Sequence, residues 1–295
     1  MNLMKRILGA SMAALMALAV CTGCGTDSGN TSSGAASEDN AAAQQDSLET
    51  IQKNGKIVVG MNAEFAPYEF HAIVDGKNVV SGFDVELAKA IADDLGVELE
   101  IKEMDFDPLI TSLKSGQCDV VISGIATTEK RQQEVDFSIP YYTGKNVLIM
   151  NKDNTEGMDT MEDLADKKIG IQQSSLQDNY AKEHLEPLGC KPTYISSMNT
   201  LVLSLVAGQL DGIITDDTVC RTMVVSNPNL VINEVCEFPS DNPDEDTVAV
   251  AMRKGVSDSL KEKIDATITR LLESGEMDQF VDDACALAAA NAEGE

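Results

Sequence analysis

The sequence predicts an α/β protein built from two successive runs of alternating strands and helices. Three observations carry this expectation. Short apolar runs rich in β-branched residues recur between segments whose apolar residues follow helical spacing. The alternation runs through 47–142 and again through 147–235, before a strand and two helices end it. Of 295 residues, 43% are hydrophobic, enough for real cores in one large or two medium domains.

The elements follow in order. Ile57–Met61 is a short apolar strand. Phe83–Leu95 places Val85, Ala88, Ile91, Ala92 and Leu95 on one helical face, and Gly96 stands where a C-terminal cap belongs. Glu98–Lys102 alternates as a strand. Asp107-Pro108 opens a helix with Leu109 and Leu113 inward, and Gly116 ends it. Val120–Ser123, Val147–Met150 and Lys168–Ile171 read as strands, with a short helix at Thr160–Ala165. Ser175–His184 is a helix. Thr193–Ile195, a helix over Met198–Ala207, Gly212–Thr215, a helix to about Val225 and Leu230–Ile232 repeat the alternation. Val248–Met252 is a strand, followed by helices over Ser257–Ser274 and Met277–Ala290.

The formal net charge is −27, which disfavours nucleic acid and anionic lipid surfaces and favours solubility. Residues 1–23 read as a secretory signal: Lys5 and Arg6, an apolar run from Ile7 to Val20, then small residues. The run is short for a membrane span, although an uncleaved anchor is the competing reading. Residues 24–46 are small and polar and read as a flexible tether, with a reach of roughly 25 Å for a chain of that length. Cys118, Cys220 and Cys285 lie among apolar residues and are expected as free thiols, while a Cys190–Cys236 bridge stays open. His71 and His184 are the only histidines, and no Cys/His spacing suits a metal. No cofactor is expected.

The candidate site begins at Gly124-Ile-Ala-Thr-Thr-Glu-Lys-Arg131, after the apolar run Val120–Ser123. Arg131 is one of five arginines. Its planar fork suits bidentate binding of a carboxylate, and the alternative is a surface pair with Glu134. Asp216 follows the strand Gly212–Thr215; it could hold an ammonium or cap the next helix, a task Asp217 could also perform.

This segment, continuing to Tyr142, resembles the solute-binding proteins of polar amino-acid ABC transporters, the extracellular solute-binding protein family 3. The resemblance covers about 50–285. It implies a two-lobed type II periplasmic-binding-protein fold with two hinge strands and a central ligand cleft, with lobe 1 at 47–143 plus 245–290 and lobe 2 at 146–237. The crossings would fall near 144–147 and 238–249. It also implies that Arg131 grips the ligand's α-carboxylate and Asp216 its ammonium. Thr128 matches the family pattern. Ala126 stands where Ser or Thr is usual, a loss of about 1.5–3 kcal/mol at most. Phe65 and Phe106 would wall the ligand side chain, although core packing is the commoner fate of a Phe. Ser123 and Gly124 would offer backbone contacts. Gln172 and the turn Ser174–Leu176 match a family turn facing the carboxylate. Ser174 replaces a Gly there, Leu176 replaces what is often a hydroxyl residue, and Ser175 could be a plain helix cap. Asn62 replaces an Asp found in many relatives, including binders of basic amino acids. That weakens the case for a cationic ligand and leaves a polar neutral amino acid or cystine as the first guess.

Thr22-Gly23-Cys24 resembles a bacterial lipobox, with Cys21 in place of its aliphatic residue, and would make Cys24 the lipidated first residue. The expected partners are an amino-acid ligand, ABC permease subunits and, through the lipid, the outer face of a bacterial cytoplasmic membrane. The protein would be a monomer and no enzyme. The alternatives are a dehydratase-like cleft enzyme of the same fold and a sensory ligand-binding protein.

Overall fold

The inner parallel strands of this chain, such as Ile169–Gln172 and Gly212–Asp216, are mostly apolar, and such strands need cover on both faces. A computed structural model describes residues 47–239, 242, 246–255 and 258–293. The expected signal segment 1–23, tether 24–46 and lipidated Cys24 lie outside the described residues.

Two five-stranded sheets repeat one plan. In the first the order is Glu98–Glu103, Lys56–Met61, Val120–Val121, Ala251–Arg253 and Val135–Phe137. In the second it is Thr193–Ile195, Ile169–Gln172, Gly212–Asp216, Asn146–Asn151 and Leu230–Asn233. The first three strands of each are mutually parallel, and the fourth runs antiparallel to both neighbours. Every residue of Ile169–Gln172 and Gly212–Asp216 is buried. The chain passes between the sheets through Tyr142–Thr143, which pairs antiparallel with Thr247–Val248.

Helix Phe83–Leu95 covers the first sheet. The five apolar positions expected to face inward are all buried, joined by Phe83 and Leu87, and Gly96 closes the helix in the left-handed conformation. Leu109 and Leu113 are likewise fully buried, each worth about 1.5–3 kcal/mol of transfer free energy.

Several boundaries differ from the sequence expectation. The strand expected over Val248–Met252 is two, because the chain leaves the Tyr142–Thr143 ribbon at Val248 and joins the first sheet at Ala251. The helix expected over Ser175–His184 is α-helical only over Leu176–Tyr180, then a π turn and a 3-10 turn that Pro187 and Gly189 bring to an end. The Thr160–Ala165 helix is a 3-10 turn, Glu162–Leu164. A three-stranded sheet, Glu64–Phe65, Glu69–Val74 and Lys77–Ser81, was not expected. Its signal was present: Asp75-Gly76 between apolar runs takes positive φ at both residues, 52° and 73°, as a tight hairpin turn requires. Cys118, Cys190, Cys220, Cys236 and Cys285 are all free, so Cys190 and Cys236 form no bridge although both belong to one apolar cluster. Cys285 is only partly buried. No helix among the described residues is long and apolar enough to cross a membrane.

Candidate functional site

Ligands of open parallel sheets bind beyond the carboxyl ends of the strands. Residues following such ends in both sheets line one cavity here, with about 50 Å³ open to the centres of water-sized groups. Gly124, Ala126 and Arg131 follow strand Val120–Val121 of the first sheet. Gln172, Ser175 and Leu176 lie at the end of Ile169–Gln172, and Asp216 ends Gly212–Asp216, both of the second sheet. Phe65 and Phe106 complete the set of expected lining residues found there.

Arg131 is placed by a four-residue helix, Glu129–Gln132, whose cap Thr128 accepts the Arg131 backbone N–H at 3.3 Å. Its Nη1 donates to the Ala126 carbonyl at 2.9 Å and its Nη2 to the Ser174 carbonyl at 3.0 Å. The guanidinium carbon lies 5.6 Å from the Phe106 ring centre, a cation–π distance. Glu134, the alternative partner weighed from sequence, is engaged instead by Lys114 Nζ at 2.6 Å.

Asp216 takes the capping role weighed for it, and it also lines the cavity. It caps helix Asp217–Ser226, its Oδ1 accepting from Thr218 N–H at 2.9 Å and Val219 N–H at 3.3 Å. Its Oδ2 faces Gly144: a Cβ built on that glycine would lie 2.1 Å from the oxygen, so only glycine lets the crossing strand pass this close. Burial pushes the Asp216 carboxyl up to about 6, against the pull of the backbone N–H groups of Val219, Thr218 and Lys145. A partner cation would recover that cost.

The aromatic wall is larger than the sequence suggested. Tyr68 also lines the cavity, with ring centres 5.2 Å from Phe65, 4.3 Å from Phe83 and 5.7 Å from Tyr142. Sequence reasoning passed over Tyr68, although it lies in the same short segment as Phe65. It also missed Asn146, Gln177 and Asp246, all lining. Gln177 Nε2 donates to Asn146 Oδ1 at 2.7 Å. Asn146 and Asp246 flank the crossing of the chain and carry no local pattern, whereas Gln177 directly follows Leu176 in the expected turn.

Ser175 is a helix cap, accepting the Asp178 N–H at 3.1 Å, and it lines the cavity as well. Asn62 and Ser123 are not brought to the lining. Asn62 is buried beside it, donating to the Met104 carbonyl at 3.2 Å and accepting from Gln172 Nε2 at 3.4 Å. Ser123 Oγ accepts from the Asn62 N–H and donates to Glu69 Oε1 at 2.6 Å. Asn62 thus reaches the cavity only through Gln172, which lines it.

The sequence profile of the bacterial extracellular solute-binding proteins, family 3, matches residues 57–283. The chain is 34% identical to the arginine-binding extracellular protein ArtP of Bacillus subtilis over 225 residues, 76% of this chain and 84% of that protein. A crystal structure of an amino acid ABC transporter substrate-binding protein of Streptococcus pneumoniae, bound to L-arginine, is 42% identical with a TM-score of 0.78, covering 82% of this chain and 99% of that one. The holo structure of ArgBP from T. maritima is 35% identical with a TM-score of 0.68, covering 76% and 93%.

Proposed function

The chain belongs to the bacterial extracellular solute-binding proteins of family 3, and on that footing we propose that it captures L-arginine, or a closely similar cationic amino acid, and delivers it to an ABC permease. The observation that carries this reading is that Arg131 and Asp216, from different sheets, line the same cavity. A free amino acid brings a carboxylate and an ammonium, and burying either unpaired is costly. Arg131 suits the first and Asp216 the second. Phe65, Tyr68 and Phe106 suit a long side chain with a planar cationic end. The arginine-binding relatives support the choice of side chain.

Capture and closure are one event in this reading. Arg131 reaches the Ser174 carbonyl, Ser174 Oγ reaches Asp107, and Gln172 reaches Asn62. Each contact joins the two sheets' loops, so a ligand that favours their meeting shifts the population toward closure. Ser174→Ala is expected to weaken ligand binding about two- to fivefold, the worth of one exposed charge-assisted bond, with calorimetric titration as the check. The direct test of function is thermal unfolding against a panel of amino acids. L-arginine at a hundred times its Kd should add about 2.7 kcal/mol, and no response to any amino acid would overturn the reading.

We assign the lobes to 47–143 plus 245–290 and to 146–237, and place the protein as a monomer on the outer face of the cytoplasmic membrane, held through a lipid on Cys24 and the 24–46 tether. The reading assigns it no catalysis. Metabolic labelling with palmitate is expected to mark the wild-type chain and to leave Cys24→Ala unmarked.

A further inference from the structure

Glu69 and Asp84 are both 0% exposed, and among the described residues neither makes an ion pair. Glu69 opens strand Glu69–Val74, and Asp84 lies in the first turn of helix Phe83–Leu95. Each holds one residue of the cavity loop. Ser123 Oγ donates to Glu69 Oε1 at 2.6 Å, and the Gly124 N–H donates to Asp84 Oδ2 at 2.8 Å. The remaining oxygens, Glu69 Oε2 and Asp84 Oδ1, have no partner among the described residues if both groups are ionised. Two buried anions within hydrogen-bonding reach of each other cannot both persist at low cost. One proton held between the two carboxyls relieves that cost.

We propose that Glu69 and Asp84 share a single proton and act as a positioning pair, Glu69 as the acid and Asp84 as the carboxylate, that sets the Ser123–Gly124 loop against the binding cavity. Asp84 is the better anion, because it accepts the Gly124 N–H and also faces the Tyr141 hydroxyl. Burial raises both carboxyls, Glu69 well above its ordinary value and Asp84 to about 6. The other titratable groups around them are Tyr68 and Tyr141, which burial also raises and so keeps neutral, with Asp216 facing Tyr68 from the second sheet. The Ser123 hydroxyl links this pair to the Asn62 N–H.

The sign follows from linkage. Glu69 binds its proton more tightly folded than unfolded, so its contribution to stability is present below its ordinary value of 4.5 and is lost as pH rises toward the raised one. Gln at position 69 imitates the protonated acid and can still donate to Asp84. Infrared spectra of the full chain at pH 7 are expected to show a protonated-carboxyl stretch that is lost in Glu69→Gln. The same variant should flatten the fall in stability between pH 5 and 8 while holding L-arginine affinity within about threefold. Asp84→Ala, which strands the Gly124 N–H, should weaken that affinity more than tenfold. A band absent from the wild type, or unchanged in Glu69→Gln, overturns the proposal, as does wild-type affinity in Asp84→Ala. Only the affinity arm rests on the reading of the cavity as a ligand site. If the wild-type chain binds no amino acid, that reading fails and the infrared and stability arms still decide the shared proton.

Discussion

Arg131→Ala is expected to weaken amino-acid binding by about two to three orders of magnitude. The removed group would be the charged partner of a buried carboxylate, and losing one side of such a pair costs about 2–5 kcal/mol. The unliganded protein should change little. The side chain is only half-buried, and its contacts include two carbonyls and the face of Phe106. Unfolding by denaturant should therefore move by less than about 1 kcal/mol. Arg131→Lys keeps the charge and loses the fork, and should retain part of the affinity. Calorimetric titration of both variants separates charge from geometry, and tight binding by Arg131→Ala would sink the assignment of the carboxylate partner.

Asp216→Asn is the second large effect, and it splits binding from stability. Asn keeps an oxygen for the Thr218 and Val219 N–H groups, so the cap survives. The charge for the ammonium is gone, and affinity should fall by about a hundredfold or more. The unliganded protein should respond to pH in the opposite sense. The Asp216 carboxyl is raised from 3.8 to about 6, so its contribution to stability is present at acid pH and is lost as pH rises through that window. The loss is on the order of 3 kcal/mol, and it should be missing from the variant's stability-versus-pH curve. In the wild type a proton competes with the ligand's ammonium, so affinity should drop toward tenfold per unit below about pH 6. An affinity that is flat between pH 4 and 7 would count against Asp216 as the partner.

Much of the fold was legible where local signals agree. Helix Phe83–Leu95 carries both its apolar face and its stop residue, and its ends match the expectation. The hairpin at Asp75-Gly76 was legible in its turn alone, because Lys77–Ser81 has no buried residue and Glu69–Val74 does not alternate strictly. The π and 3-10 turns after Tyr180 were not legible, since helical spacing does not distinguish a tightened or widened turn from a regular one. At the site, Arg131, Asp216, Phe65 and Phe106 could be picked out by residue type and position after a strand. Asn62 and Ser123 also follow strand ends, yet their side chains bond to the Met104 carbonyl and to Glu69, and neither residue is in the cavity lining.

By itself the sequence determined the chemistry that can be offered: one guanidinium and one acid after parallel strands, aromatics beside them, and apolar strands that demand helices on both faces. Tertiary structure alone decided which groups meet. Asn146 and Asp246 reach the cavity because the chain crosses between two sheets. Glu69 and Asp84 come together because a strand and a helix pack against the same loop. The physical reason is that side-chain type and periodicity are local properties. The pairing of buried charges depends on contacts between residues far apart in the chain, and only the packed fold specifies those.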